Sequence, residues 1–159
     1  GGTGARPMKD GLSATAYPSG VKGTPVEIAE SITPLIFWRK EFREDSGGAG
    51  TTRGGLGQVI EVGSRIGKPF DLLAAYDRID HPPRGRDGGR DGAPGAVSLK
   101  SGKVLKGKGF QLIPPDDRLV VMTPGGAGIG DPGKRDRAAL DKDVSEGLVS
   151  AKGAKAYGG

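Results

Sequence analysis

Residues 35–63, LIFWRKEFREDSGGAGTTRGGLGQVIEVG, contain two strand patterns separated by a glycine-rich loop. Residues 35–42 are the most apolar run of the chain, and their aromatic side chains favour a strand whose Trp and Phe anchor the core. Residues 58–63 alternate apolar and polar side chains, as a half-buried strand does. Six of the thirteen residues 45–57 are glycine. The stretch therefore predicts sheet strands joined by glycine turns.

The same patterns continue on both sides of this stretch. Residues 26–30 alternate like a half-buried strand or short turn, whereas proline and glycine interrupt residues 80–95 and predict a loop. Ser101-Gly102 is typical of a hairpin turn between residues 96–99 and 103–106. Further strands are predicted at residues 70–76, 110–113 and 118–123.

The pattern changes after the glycine loop at residues 123–132. Asp136 is a good N-cap, and apolar residues then follow at helical spacing until Gly147. Ser150 begins a last short helix. No strand pattern is followed by a long helix, so parallel βαβ units are not expected. We predict a mainly β fold, α+β overall, with antiparallel strands, long Gly-rich loops and two short C-terminal helices.

Composition limits both the core and the chemistry. The 159 residues include 31 glycines and 12 prolines, and only 5% of them are aromatic, which predicts a thin core. The chain has no cysteine, which excludes disulfides, thiolate metal sites and cysteine nucleophiles. Its single histidine excludes a site built from two histidines, and we predict no metal site in this chain.

Charge and hydropathy bound the partners. The net charge of +5 arises from 24 basic residues interspersed with 19 acidic ones, which weakens any long-range positive field. No apolar stretch approaches the roughly 20 residues that a membrane span needs. Because no signal-peptide pattern opens the chain either, we expect a cytoplasmic protein without membrane contact.

A few polar residues in the loops are candidate functional groups. Asp45, Ser46 and Arg53 form a candidate polar cluster that positions a substrate carboxylate or amide, although Asp and Ser also cap ordinary turns. His81 has the side chain best suited to acid or base chemistry near neutral pH, but it precedes two prolines in an exposed-looking loop. The glycine loops lack the Lys-Ser/Thr ending of a phosphate-binding loop.

An arginine-glycine pattern raises a different function. Arg84, Arg86 and Arg90 lie among glycines, as in RNA-binding segments, and favour a non-catalytic binding module as one alternative. Asp80, Asp87 and Asp91 alternate with these arginines, however, and no aromatic residue is interleaved with them. Nucleic acid is therefore an unlikely partner.

Taken in order, the loop motifs resemble the C-terminal part of the hydantoinase B/5-oxoprolinase family from end to end of the chain. The motifs are GGTGARP at residues 1–7, KDG at 9–11, TPVE at 24–27, DSGGAG at 45–50, RGGLG at 53–57, TPGGAG at 123–128, GDP at 130–132, Arg135-Asp136, Asp143-Val144 and GLVS at 147–150.

This resemblance implies an ATP-dependent hydrolase that opens a cyclic amide such as a hydantoin or 5-oxoproline. A companion hydantoinase A-type subunit or domain is expected to bind ATP with Mg²⁺ and to phosphorylate the carbonyl oxygen. The B part then completes hydrolysis. The resemblance also implies a longer B-type subunit, whose N-terminal part would hold a divalent metal. On this basis Asp10, Asp45, Ser46, Arg53 and His81 are the candidate catalytic residues.

The expected organisation is one C-terminal segment over residues 1–159, inactive alone. It comprises a Gly-rich loop at residues 1–23, a β-rich body at 24–123, and a glycine loop with short helices at 124–159. A B-type segment of an ATP-dependent acetone or acetophenone carboxylase is the alternative within the same resemblance.

Overall fold

The computed structural model describes residues 1–16 and 23–158 of the chain. Most of the regular structure is antiparallel sheet, which confirms the predicted fold class. The part of the predicted N-terminal loop at residues 17–22 lies outside the described residues. The elements are helix α1 (Val26–Ile32), strands β1 (Leu35–Phe42), β2 (Gln58–Ser64), β3 (Phe70–Ala75), β4 (Ala96–Leu99), β5 (Lys108–Ile113) and β6 (Arg118–Met122), helix α2 (Arg137–Ser145), and 3-10 helices at Pro132–Lys134 and Gly153–Tyr157.

Two sheets enclose the main hydrophobic core. The larger sheet has the strand order β1-β2-β6-β4, and β3 pairs with β5 in a separate two-stranded sheet. The core is built from buried aliphatic residues of both sheets, with Phe37, Phe70 and Leu72 packed against it. Its fully buried members are Val62, Val97, Leu99, Ile113, Leu119 and Val121. The core is small, as the composition predicts.

Strand β1 is at the edge of the larger sheet and contains a bulge. Phe37 pairs with Val62 and Arg39 with Glu61, so Trp38 is the extra residue between them. The side chain of Phe37 packs on the core, whereas Trp38 and Phe42 are both 51% exposed. The prediction that Trp38 anchors the core is therefore wrong. The guanidinium of Arg118 instead lies over the Trp38 ring, with Arg118 Cζ 3.6 Å from the ring centroid.

The prediction of a half-buried strand or short turn at residues 26–30 is also wrong, because these residues form α1. Pro25 occupies the N-cap, Glu27 lies in the first turn, and the Thr33 hydroxyl donates to the Ala29 carbonyl at the other end. None of the helix residues is buried. The helix is only seven residues long, so its helical apolar spacing, such as that of Ile28 and Ile32, is too short to outweigh the local alternation.

The turn and cap predictions agree with the structure. The Gly102 N–H donates to the Leu99 carbonyl, closing the predicted hairpin turn, although its second arm makes only an isolated bridge through Val104. Asp136 Oδ1 accepts the Ala139 N–H at 2.9 Å and caps α2. The backbone is left-handed at Gly147, just beyond that helix.

Four glycine-rich segments, residues 1–5, 46–57, 85–93 and 123–130, form a unit that we call the glycine block. They hydrogen bond to one another through the backbone rather than packing through side chains. The Gly55 N–H donates to Thr3, the Gly126 N–H to Gly55, and the Gly48 N–H to Gly126. The Gly128 N–H donates to the Arg90 carbonyl at 3.0 Å. The predicted loops are thus one hydrogen-bonded structure.

The close approach of these segments requires glycine. A Cβ atom on Gly126 would lie 1.7 Å from the Thr3 carbonyl oxygen, and one on Gly54 would lie 2.0 Å from the Gly126 carbonyl oxygen. Both contacts are with backbone, which cannot move aside as a flexible side chain can. A side chain at either position would therefore force the segments apart.

We expect Gly126→Ala to destabilise the chain by about 3 kcal/mol or more, because the added methyl overlaps the backbone of residues 1–5. Gly4→Ala is the matched control, since its Cβ would meet only the Ala127 carbonyl at 4.0 Å. The control should change the free energy of unfolding by less than about 0.5 kcal/mol. Denaturant unfolding measures both variants. Equal stability of the two would contradict the backbone packing described here.

Candidate functional site

A cluster of four charged side chains joins the N-terminal segment, the glycine block and α2. Arg53 donates to both carboxylate oxygens of Asp143, from Nε at 3.0 Å and from Nη2 at 3.1 Å. Arg135 donates to both oxygens of Asp10 at 2.9 and 2.7 Å, and also to Asp143 Oδ2 at 2.7 Å. The Arg53 N–H donates to Asp10 Oδ1 at 2.7 Å. We call these four residues the ion-pair cluster.

The ion-pair cluster is electrically balanced, and all its side chains except that of Asp10, which is 34% exposed, are buried. The side chains of Arg53, Arg135 and Asp143 are all less than a tenth exposed. Burial raises the pKa of Asp10, but hydrogen bonds from Arg135 and from the Arg53 backbone outweigh it, so this pKa lies below its ordinary value. Burial lowers the pKa of Arg135, but the hydrogen bond from Arg135 to Asp10 outweighs burial, so the pKa of Arg135 lies above its ordinary value. Asp10 and Arg135 therefore both favour their charged forms.

Tyr157 covers one side of the cluster from the C-terminal 3-10 helix. Its ring centroid lies 5.8 Å from Arg135 Cζ. Burial raises the pKa of Tyr157 to about 12, so its phenol is neutral under physiological conditions. Within residues 1–16 and 23–158, the Nε atom of Arg135 is buried and has no hydrogen-bond partner. The ring thus lies over the buried Arg135 side of the cluster.

The hydrogen bonds of the cluster indicate a positioning role. Every carboxylate oxygen of Asp10 and Asp143 already accepts at least one short bond from an arginine. These bonds hold both carboxylates in fixed positions against the arginines. The cluster thereby ties together segments that are 90 or more residues apart.

Asp45 and Ser46 are adjacent in the chain but serve different contacts. Asp45 Oδ1 accepts the Ser150 N–H at 2.9 Å, and its other oxygen accepts the Ser150 hydroxyl. Ser46 is 1% exposed, donates to the Arg43 carbonyl and accepts the Gly57 N–H at 3.0 Å. Arg53 bonds to Asp143 rather than to this pair, so the structure does not bring Asp45, Ser46 and Arg53 into one cluster.

His81 lies apart from the ion-pair cluster, on the wall of an open cleft. The cleft has a volume of about 640 Å³. Arg78, Arg84 and Arg86 line it together with His81, and Pro82 and Pro83 complete one side. Of the five residues predicted from sequence, the structure thus brings Asp10 and Arg53 together, and it places His81 on the wall of a large cleft.

Sequence reasoning assigned no site role to Arg78, Arg135 or Asp143. Arg135 and Asp143 belong to the motifs quoted above, but their partners are distant in the chain. One local signal was present, because Asp143 lies three residues after Leu140 on the buried face of α2. A charged residue on an apolar helix face indicates a buried partner.

Two further observations concern metals and membranes. In the described part of the chain, no group of three acidic or histidine side chains is placed to hold a metal ion. None of the helices in that part has the length and apolar character needed to cross a bilayer.

The glycine block and its motifs are those of one protein family. The model of the Hydantoinase B/oxoprolinase family matches residues 1–132, and the chain belongs to this family. Among curated proteins it is 36% identical to 5-oxoprolinase 1 of Arabidopsis thaliana over 82% of the chain and 10% of that protein. It is 31% identical to caprolactamase subunit beta of Pseudomonas jessenii over 82% of the chain and 24% of that subunit.

Solved structures agree with this assignment. The ATP-dependent caprolactamase of Pseudomonas jessenii superposes with a TM-score of 0.82 and 26% identity, over 99% of this chain and 29% of that chain. A nucleotide-free acetone carboxylase superposes with a TM-score of 0.74 and 25% identity, over 99% of this chain and 26% of that chain. The chain thus spans about a quarter of the caprolactamase subunit and a tenth of the plant 5-oxoprolinase.

We expect Asp143→Asn to destabilise the chain by about 3–5 kcal/mol, because it leaves two buried guanidiniums without their shared counter-ion. Asp141→Asn on the same helix is the control, since Asp141 is exposed and pairs only with the exposed Arg137. The control should cost less than about 1 kcal/mol. Urea unfolding of both variants tests this. A small effect at Asp143 would show that the cluster does not secure α2.

The lowered pKa of Asp10 predicts acid sensitivity. Its folded pKa lies below the ordinary value of 3.8, so the unfolded chain binds more protons as the pH falls through this range. The stabilisation is therefore complete above pH 4 and is lost as the pH falls through the folded pKa. Thermal unfolding between pH 5 and pH 2 should show a shallower decline for Asp10→Asn than for the unchanged chain. Parallel declines would contradict this assignment.

Proposed function

We propose that this chain is part of an ATP-dependent cyclic-amide hydrolase, which opens a lactam ring such as 5-oxoproline or a hydantoin. The observation that carries the proposal is the match to the ATP-dependent caprolactamase over 99% of the chain, at a TM-score of 0.82. Similarity to a 5-oxoprolinase of Arabidopsis thaliana supports the same class of substrate. Both the ATP-dependent hydrolase activity and the particular lactam are proposed for the larger enzyme, because the chain spans about a quarter of the caprolactamase subunit and a tenth of the plant 5-oxoprolinase.

The chemistry explains why such an enzyme would use ATP. An amide carbonyl is a poor electrophile, and phosphorylation of its oxygen creates a good leaving group. We propose that a companion subunit or domain of the hydantoinase A type binds ATP with Mg²⁺ and performs this step. The name of the caprolactamase subunit beta supports an assembly of more than one subunit for that relative. A divalent metal, where the reaction uses one, would be held by the remaining part of the B-type subunit.

Within this division of labour, the chain contributes structure and substrate contact rather than a complete active site. Asp10, Asp45, Ser46 and Arg53 all have their polar atoms engaged by neighbouring loops. We propose that they position the loops that face the rest of the enzyme. His81 is the candidate for direct contact with a ligand, because it is exposed at the cleft.

An exposed apolar face supports contact with the remaining part of the larger subunit. Leu73 pairs with Phe110 on the outer face of the β3–β5 sheet, and both are more than 60% exposed. Leu112 is next to them and equally exposed. Apolar side chains clustered on one sheet face are typical of a protein–protein interface. The relatives are about four times longer or more, which supplies the chain to cover this face.

A ketone carboxylase is the second candidate function. The match to acetone carboxylase favours it, at a TM-score of 0.74 over 99% of the chain. The two functions differ in their carbon-containing co-substrate, because carboxylation consumes bicarbonate and hydrolysis does not.

The deciding experiment uses the complete subunit that contains this chain, assembled with its ATP-binding companion. We expect 5-oxoproline, hydantoin or caprolactam to stimulate ATP hydrolysis and to yield the ring-opened acid, detected by mass spectrometry. Stimulation only by acetone or acetophenone with bicarbonate would transfer the assignment to the carboxylases. If neither class of compound stimulates ATP hydrolysis, the proposal fails. An assembly without the companion serves as the control for contaminating activity.

A further inference from the structure

The cleft beside His81 is lined by an unusual number of arginines. Arg78, Arg84 and Arg86 line it, and its remaining wall is proline, glycine and alanine. A neighbouring cleft of about 620 Å³ shares Gly4, Arg78 and Pro83 with it and adds Arg6. No acidic residue in the described part of the chain lines either cleft. The two clefts therefore form one cationic surface, which we call the arginine cleft.

Three arginines of this cleft take no part in the salt bridges of the described residues, although the charge of Arg78 acts on the carboxylate of Asp77. Among residues 1–16 and 23–158, Arg78, Arg84 and Arg86 have no ion pair and no side-chain hydrogen bond, in contrast to the fully paired Arg53 and Arg135. The acidic residues of the same loop are engaged or directed elsewhere. Asp91 accepts the Gly85 N–H and lines another cavity, and Asp87 is exposed. Asp77 and Asp80 line a third cavity that Arg78 and His81 also line, so of the three arginines only Arg84 and Arg86 line the arginine cleft alone.

The backbone beneath these arginines is held in place by the glycine block. The Arg86 N–H donates to the Gly128 carbonyl at 3.1 Å, and its own carbonyl accepts the Gly130 N–H at 3.0 Å. The Pro83 carbonyl accepts the Gly92 N–H at 2.9 Å. A fixed backbone lowers the entropy cost of gathering several guanidiniums around one ligand.

Arg78 is held in a strained conformation at the edge of the cleft. Its φ of +60° lies in the left-handed region, which is uncommon for a side chain of this size. The Gly95 N–H donates to its carbonyl at 2.8 Å and keeps it there. Backbone strain of this kind is found preferentially at ligand-binding sites. Here it accompanies an arginine that lines both clefts.

We infer that the arginine cleft binds an oxyanion of the phosphate class, carried by a small molecule. Guanidiniums bind phosphate oxygens through paired, charge-assisted hydrogen bonds, and free guanidinium donors line this cleft. A cleft of 640 Å³ also has room for an organic group beside the phosphate. The identity of this anion, as the phosphorylated amide or the released phosphate, rests on the proposed function. The binding of a phosphate-class anion to the cleft is independent of that proposal.

Single-stranded RNA is a less suitable ligand for this site. Sequence-tolerant RNA binding stacks successive bases on several aromatic side chains, and neither cleft has a phenylalanine, tyrosine or tryptophan among its described lining. The three arginines of the arginine-glycine pattern also do not share one cleft. Arg90 lines a cavity with Asp45 and Asp91 instead.

The test measures phosphate binding by the chain in the absence of ATP and companion, so its result is independent of turnover. His81 is the only histidine in the chain, and its imidazole proton resonances therefore report directly on the cleft. Inorganic phosphate and phenyl phosphate are titrated at constant ionic strength against chloride. We expect saturable shifts with both, and tighter binding of phenyl phosphate would identify a phosphorylated organic molecule as the natural ligand.

Variants separate this site from general surface charge. We expect Arg84→Gln combined with Arg86→Gln to weaken phosphate binding about tenfold or more, through loss of charge-assisted bonds. Arg84→Gln alone and Arg90→Gln each remove one charge from the same loop, inside and outside the cleft respectively. Arg90→Gln should leave affinity within about twofold, since it loses no such bond. Equal weakening by both single variants, no saturable shift, or tighter binding of an oligonucleotide than of phenyl phosphate would overturn the proposal.

Folding is monitored in the same samples. Trp38 is the only tryptophan and lies on strand β1, so its fluorescence reports the unfolding of each variant. The same variants in the complete subunit, compared by calorimetric phosphate titration, provide the second measurement. Loss of phosphate binding there with an intact fold would support the site, and unchanged binding would reject it.

Discussion

The close contact between backbones in the glycine block is the constraint on which the rest of the structure depends. Carbonyl oxygens of one segment approach the α-carbons of the next so closely that no side chain fits between them. This packing buries peptide groups instead of apolar side chains, so their hydrogen bonds must be satisfied within the block. The observed bonds among residues 1–5, 46–57, 85–93 and 123–130 do this. A chain with few aromatic residues can therefore still have an ordered interior.

The ion-pair cluster attaches α2 to the glycine block. Glycine segments have no side chains with which to bind a helix, so α2 cannot be attached to them by apolar packing alone. A small apolar contact holds α2 in part, through Ala49, Leu140, Val149 and Tyr157. The paired charges of the cluster complete the attachment, and their hydrogen bonds are directional. A buried pair adds little net stability over apolar packing, but an unpaired buried charge is costly, which fixes one arrangement of the segments.

Much of the fold was readable from local sequence, because strands, turns and caps are local features. Strand β1 and the Asp136 cap were predicted at the positions where they occur. Helix α1 was missed because its seven residues are too few for helical spacing to outweigh the local alternation. The exposure of Trp38 depends on a bulge, which pairing with β2 creates. The bonds of Arg53 and Arg135 to Asp143 and Asp10 depend on contacts across about a hundred residues, and spacing alone does not reveal them.

Two groups of arginines in this molecule differ in whether the protein supplies their counter-ions. Arg53 and Arg135 are buried, and each donates to carboxylates that the chain itself supplies. Arg78, Arg84 and Arg86 line a cleft whose described walls supply no carboxylate. Bringing three like charges to one cleft costs free energy unless a ligand of opposite charge offsets it. The glycine block holds the backbone of Arg86 through Gly128 and Gly130, so the backbone packing that supplements the hydrophobic core also helps to present the cationic surface.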